Sequence, residues 1–325
     1  MLEKYFTIIK TSEPKDAIVD IEIELSAEKF EQHRKDVLRA HSRDLKLPGF
    51  RPGHIPADVA EKHLDPQHIL KHAAEHALQE QYHYIVEEAC IDPISSPRVQ
   101  IQNMQKGSPL VCTLSIAVRP DVLLPNYKKI ATKIKKEQKP IEITDSEVQE
   151  FVQSIKKSQK NAGEDSKMSD EELEKNVRET MQREKELEQK QNHRTNLQKE
   201  LAQESKVHIP ALLVEDEFAT NIRHIQRDLR KMGVTIEDYL KKMRKSEEEF
   251  VKESQASLEE QLKVKFILSE IAGKEHIEPD ESELKEQLTY AYAQYPNALK
   301  DRVQESVREA LTYRKTLEFL ERAEF

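Results

Sequence analysis

Between two stretches of helical sequence the chain runs Gly49-Phe50-Arg51-Pro52-Gly53-His54-Ile55-Pro56. Gly49 and Gly53 permit backbone conformations closed to residues with a Cβ, while Pro52 and Pro56 stiffen the path between them. A loop built this way displays one aromatic ring, Phe50, beside one guanidinium, Arg51. Aromatic and arginine side chains together make a small contact spot suited to a protein or RNA partner. A plain turn with Phe50 folded back into the core fits the same residues.

The flanks predict an α+β domain over residues 1–120. Upstream of the loop, Ser26 is placed to N-cap a helix from Ala27 that carries Phe30, Val37, Leu38 and Leu45 on one face and stops at Pro48-Gly49. Downstream, helices are expected over about 57–64 and 68–90. Before them, Tyr5–Ile9 is a short apolar run, and Val19, Ile21, Ile23 and Leu25 alternate with Asp20, Glu22 and Glu24, the period of a half-buried strand. Strands at about 98–103 and 110–119 follow. Two strands, helices and two strands predict one antiparallel sheet with helices on one face.

Residues 121–160 read as an extended linker and an arm helix. Residues 127–135 read as extended, with Ile130, Thr132 and Ile134 on one side, and with no obvious partner inside the first domain they are expected to be a connector. Thr144 and Glu147 have capping-box spacing and open a helix through about Ser158. Asn161–Ser166 is a polar break. Residues 161–325 then read as an extended, all-helical domain with arms. Asp170–Lys206 is helical in pattern but thin in apolar residues, a rod of about 55 Å that cannot be buried all round. Pro210 starts a helix striped by Val214, Phe218, Ile222, Ile225 and Leu229, and further helices are expected over about 236–243, 247–272, 281–295 and 297–323.

Composition agrees with an open, helix-rich molecule. Charged residues are 35% and hydrophobic ones 37%, with 6 Gly and no Trp, below the usual apolar share of about 45–50%. A net charge of −9 argues against a general nucleic-acid coat, and no DNA partner is expected. The stretch His33–His54 is a local exception, with Arg34, Lys35, Arg39, Arg43, Lys46 and Arg51 against Asp36 and Asp44. Such a patch suits one restricted anionic partner, such as a stretch of structured RNA, or is a solvated basic helix face. Cys90 and Cys112 are too few for a disulfide framework. MLEKYFTIIKTSEPKD does not read as a signal peptide, and no 18 apolar residues run together. A soluble cytoplasmic protein without a membrane partner is expected.

His72-Ala73-Ala74-Glu75-His76 has the H-x-x-E-H spacing of inverted zinc peptidases, and His68 extends its row. No third ligand stands out downstream, so a solvated histidine-rich helix face is the simpler reading, and no metal is assigned. Nucleophile elbows, Walker loops and dinucleotide fingerprints are not found.

The loop resembles the ribosome-binding signature of the trigger factor family, Gly-Phe-Arg-x-Gly-x-x-Pro, at every fixed position: Gly49, Phe50, Arg51, Gly53 and Pro56. Arg119-Pro120-Asp121-Val122 is similar to the end of that family's N-terminal domain. Lys139-Pro140 through Thr144-Asp145-Ser146 is similar to its linker, and Lys206-Val207-His208-Ile209-Pro210 to the start of its C-terminal helical body. The resemblance implies a chaperone docked on the large ribosomal subunit, on protein and rRNA beside the exit tunnel, that receives unfolded nascent polypeptides. Phe50, Arg51 and Pro52 would be its docking tip, supported by Arg39, Arg43 and Lys46. Client contacts are expected among Leu284, Leu288, Tyr292, Val307, Leu311 and Phe319, and a homodimer off the ribosome. Family members usually carry a prolyl-isomerase domain in the middle of the chain. Here none is inserted near 161–169, so catalytic residues, isomerase activity and cofactors are not expected. A ribosome-independent helical holdase or assembly scaffold, or a periplasmic chaperone of related architecture, would share the helices but has no use for the loop.

Overall fold

In the computed structural model, which describes residues 4–48, 50, 54–138, 140–162, 169–296, 298–323 and 325, the alternating segment is the inner strand β2 (Ile18–Leu25). It pairs antiparallel with β1 (Phe6–Thr11) on one side and β4 (Leu110–Ala117) on the other. With β3 (Arg98–Asn103) on β4, the order is β1-β2-β4-β3. The register sets Ile21 opposite Leu114 and Ile23 opposite Cys112, so one face of the two inner strands is a continuous apolar surface.

The helices α1 (Ala27–Asp44), α2 (Ala57–Glu61) and α3 (Pro66–Glu88) supply residues to the core on that face. Ser26 caps α1 by accepting the Lys29 N–H. Phe30, Val37 and Leu38 face inward from α1, while α3 presents the fully buried Ala73, Ala74 and Ala77. Small side chains on α3 let its backbone lie close to its neighbours, and each larger Ile or Leu sealed here contributes about 1.5–3 kcal/mol of transfer free energy.

The chain forms two units. The first comprises Met1–Asp121 and His208–Glu260, the second Val122–Val207 and Gln261–Phe325. Residues 161–325, expected as one helical domain, are therefore shared between both. The first unit adds α7 (Ala211–Lys231), α8 (Ile236–Met243) and the first half of α9 (Glu247–Lys274). The start of α7 is tied beside β3, where Asp216 Oδ2 accepts the Ser96 N–H at 3.0 Å and Glu215 pairs with Arg98. Leu212, Leu213, Val214 and Leu229 are buried, whereas Phe218, Ile222 and Ile225 between them stay partly exposed.

In the second unit β5 (Val122–Leu123) pairs antiparallel with β6 (Lys206–Val207). The segment expected to be an extended connector is instead the helix α4 (Tyr127–Lys136). Asn126 caps it by accepting the Lys129 N–H at 3.1 Å. Tyr127, Ala131 and Ile134, at spacings of four and three, are the residues it buries. Reading Ile130, Thr132 and Ile134 as one side picked a period of two from a stretch whose buried period is 3.6. That helix packs with Leu197 and Leu201 of α6 (Asp170–Glu204), Ile267, Leu268 and Ile271 of α9, and Leu317 and Leu320 of α11 (Lys300–Arg322). At its other end α6 pairs with α5 (Asp145–Ala162) through Val148, Val152, Leu173 and Val177. Mid-rod, Leu187 is 68% exposed, as the thin apolar pattern requires.

Candidate functional site

Of the quoted loop, Phe50, His54, Ile55 and Pro56 are described, and Gly49, Arg51, Pro52 and Gly53 lie outside the described residues. The Phe50 N–H donates to the Leu47 carbonyl at 3.2 Å, closing a turn just past α1. Phe50 is 40% exposed and does not join the core. Ile55 does join it, at 6% exposure, and anchors the returning chain. Pro56 then stands at the N-cap of α2, its carbonyl accepting the Ala60 N–H at 2.9 Å. The loop is thus held at both ends with its aromatic ring in solvent.

Lys35, Arg39 and Arg43 recur every fourth residue along α1 and are exposed, and Lys46 continues beyond the helix end. They form a basic row leading to the loop. Arg39 pairs with the exposed Asp36 at 3.3 Å. Arg34 is different and leaves the patch. It is 6% exposed and donates from Nε and Nη2 to the two Glu31 oxygens at 2.8 and 2.7 Å, and from Nη1 to Glu61 at 3.0 Å. Lys106 Nζ reaches the same Glu61 oxygen at 2.7 Å. Arg34 holds the Glu31 carboxyl below its usual range, and Lys106 first and then Arg34 do the same for Glu61. Arg34 therefore ties α1 to α2, the helix into which the loop leads. Counting charge could not separate it from its neighbours. Its place on the Phe30–Val37–Leu38 stripe could have, since a cation there must be buried and paired.

In the second unit, α10 (Glu281–Gln294) and α11 pack as a pair. Leu284 and Leu311 are buried in it, and Leu288, Tyr292, Val307 and Phe319 are partly buried. Leu284 and Leu311 are therefore not part of the pair's exposed surface. Exposed apolar area on the pair and its turn comes instead from Tyr290 (68% exposed), Tyr295 (57%) and Leu299 (68%), which the periodicity did not single out. The H-x-x-E-H motif also resolves differently, because the histidine trio that the fold assembles is His41, His68 and His72, without His76.

Two family models match the chain: Bacterial trigger factor protein (TF) over residues 8–155, and Bacterial trigger factor protein (TF) C-terminus over residues 169–321. The chain belongs to the trigger factor family. Among similar curated proteins, a trigger factor of Oceanobacillus iheyensis is 38% identical over 105 residues, covering 32% of this chain and 24% of the relative. Those of Rhodococcus opacus and Desulforudis audaxviator are 30% and 29% identical over 138 residues, each covering 42% of this chain and respectively 29% and 31% of the relative. The chain thus matches less than a third of the length of these relatives. A solved structure described as showing promiscuous substrate recognition in folding and assembly activities of the trigger factor chaperone aligns with a TM-score of 0.52 at 14% identity, covering 97% of this chain and 99% of the other. It shares the trigger factor fold. The two family matches leave only 156–168 between them, too short a span for an inserted domain of about 50 residues or more. Among the described residues no helix is long and apolar enough to cross a membrane.

Proposed function

We propose that this trigger factor family chain is a cytoplasmic chaperone that docks on the large ribosomal subunit beside the polypeptide exit tunnel and shields nascent chains from aggregation. The observation that carries this reading is the exposed Phe50 on a loop matching the family's docking signature, at the end of the exposed row Lys35, Arg39, Arg43 and Lys46. An aromatic tip and flexible cations meet RNA and ribosomal protein through complementary means, one by packing and the other by phosphate neutralisation. Residues 1–120 would serve docking, 121–160 form the linker and arm, and 161–325 hold clients. Tyr290, Tyr295 and Leu299, together with the partly buried Leu288, Tyr292 and Val307, offer clients weak apolar contacts. Weak contact suits a client that must be shielded and then released. The chain works without cofactor or isomerase chemistry and self-associates when free of the ribosome.

The test is co-sedimentation of the full chain with large ribosomal subunits at moderate salt. Replacing Phe50, Arg51 and Pro52 together with Ala abolishes co-sedimentation while helical content by circular dichroism is unchanged. Equal sedimentation of parent and variant would instead favour a helical holdase that does not use the ribosome.

A further inference from the structure

His41 lies in the last turn of α1, and His68 and His72 lie one turn apart near the start of α3. Because i and i+4 share a helix face, α3 presents both rings toward one place. The packing of α1 on α3 brings the third ring there. Centroid separations are 5.3 Å for His41–His68, 5.5 Å for His41–His72 and 4.4 Å for His68–His72. One ring nitrogen from each residue lies within 4.8 Å of the other two. We propose that His41, His68 and His72 form a binding site for a divalent transition-metal ion of the Zn2+ type.

The ligand set selects the ion class. Imidazole nitrogens suit zinc, copper and nickel, whereas magnesium and calcium require oxygen donors. Tetrahedral zinc at about 2.0–2.1 Å from each nitrogen sets the nitrogens about 3.4 Å apart, so modest side-chain rotation closes the trio. That rotation is available, because His68 is exposed and the other two rings are only partly buried. Glu75 Oε2 lies 3.3 Å from His72 Nδ1. A carboxylate on one ring nitrogen orients the ring and leaves the other nitrogen to the metal. Three imidazoles leave the fourth position open to water. The site was hidden in the sequence because the H-x-x-E-H spacing draws attention to His76, whereas the fold recruits His41 from another helix.

The place of the site gives it a consequence. The loop and α2 hang between the end of α1 and the start of α3, and an ion held by all three histidines cross-links those two ends. The metal site itself does not depend on ribosome docking.

The test is calorimetric titration of the untagged full chain with ZnCl2, repeated with CoCl2 to record the visible absorption of bound cobalt. The chain has 12 His, so the comparison is among variants. The parent binds one ion that His41→Ala and His68→Ala each weaken at least about tenfold, the loss typical even of a supporting metal-site residue. His76→Ala binds like the parent. The parent's Zn2+-induced rise in melting temperature is lost in His41→Ala and His68→Ala. Two results overturn the proposal: binding lost in His76→Ala but kept in His41→Ala, which marks a chelate on one helix face, or no saturable ion in the parent. His68 is exposed, so its variant keeps the test decisive should His41→Ala perturb α1.

Discussion

Arg34→Ala separates the structural cation of α1 from the basic row beside it. The side chain is 8% exposed and makes three charge-assisted hydrogen bonds, two to Glu31 and one to Glu61. Breaking a fully buried ion pair costs about 3–5 kcal/mol, because the remaining charge is stranded. Here the discount is substantial. The Glu31 and Glu61 side chains are 23% and 33% exposed and can rehydrate, and Glu61 keeps Lys106 at 2.7 Å. A loss of about 2 kcal/mol remains. With a urea slope of about 2 kcal/mol per molar, the unfolding midpoint falls by about 1 M. The first unit carries its own probe: Cys112 on β4 is fully buried, and burial pushes its thiol up to about 12, so it reacts only when the sheet opens. Pulsed thiol labelling against urea, in a Cys90→Ser background because Cys90 is exposed, reads that opening. Arg34→Lys recovers less than half of the loss, since an ammonium cannot span both carboxylates as the guanidinium fork does. A midpoint unchanged in Arg34→Ala, together with weakened ribosome sedimentation, would refute this reasoning and return Arg34 to the docking row.

Replacing Arg39, Arg43 and Lys46 with Ala leaves the Cys112 labelling midpoint in place, because all three are exposed. Ribosome affinity then falls, and the plot of log affinity against log salt loses about one unit of slope for each phosphate contact removed, measured by sedimentation at several salt concentrations. The second test concerns Glu147, which accepts from Lys185 Nζ at 2.8 Å and from the Thr144 N–H at 2.9 Å, and is lowered to about 2 by Lys185 first and Thr144 next. A depressed carboxyl contributes stability above its ordinary value of 4.5 that is lost as pH falls toward about 2. Protection of the α5 amides from hydrogen exchange should therefore fall across that interval in the parent. In Glu147→Gln it is lower than in the parent at neutral pH and changes less across that interval.

Local rules carried much of the architecture because the relevant signals are local. The alternation at 18–25 specifies which face of β2 is buried, and the partner strand needs only the same period to pair with it. Ser26, the Thr144–Glu147 pair and Pro210 mark helix starts for reasons confined to three or four residues. Where a segment satisfies two periods, local rules fail. In α4, Ile130, Thr132 and Ile134 fit a strand, while Tyr127, Ala131 and Ile134 fit a helix. Alanine is a weak hydrophobic signal in a sequence, yet Ala131 is 1% exposed. The deciding contribution comes from α6, α9 and α11, which offer a helical groove where a lone strand would leave its backbone unpaired.

The proposed contact surfaces meet the same limit from the other side. Exposure is decided by what fails to cover a residue, and no spacing rule records that. Leu284 and Tyr290 belong to one helix and are both apolar in character, but α10 buries Leu284 and leaves Tyr290 in water. Arg34 and Lys35 are adjacent cations, and the helical turn of 100° between them puts one in the core and one in solvent. The histidine trio extends the point to chemistry. His68 and His72 are related by the repeat of one helix, whereas His41 joins them only because α1 packs on α3, so the third ligand belongs to the tertiary structure and not to any motif. A proposed site is therefore legible in this sequence where one loop carries it, as at Phe50, and becomes visible only in three dimensions where two helices share it.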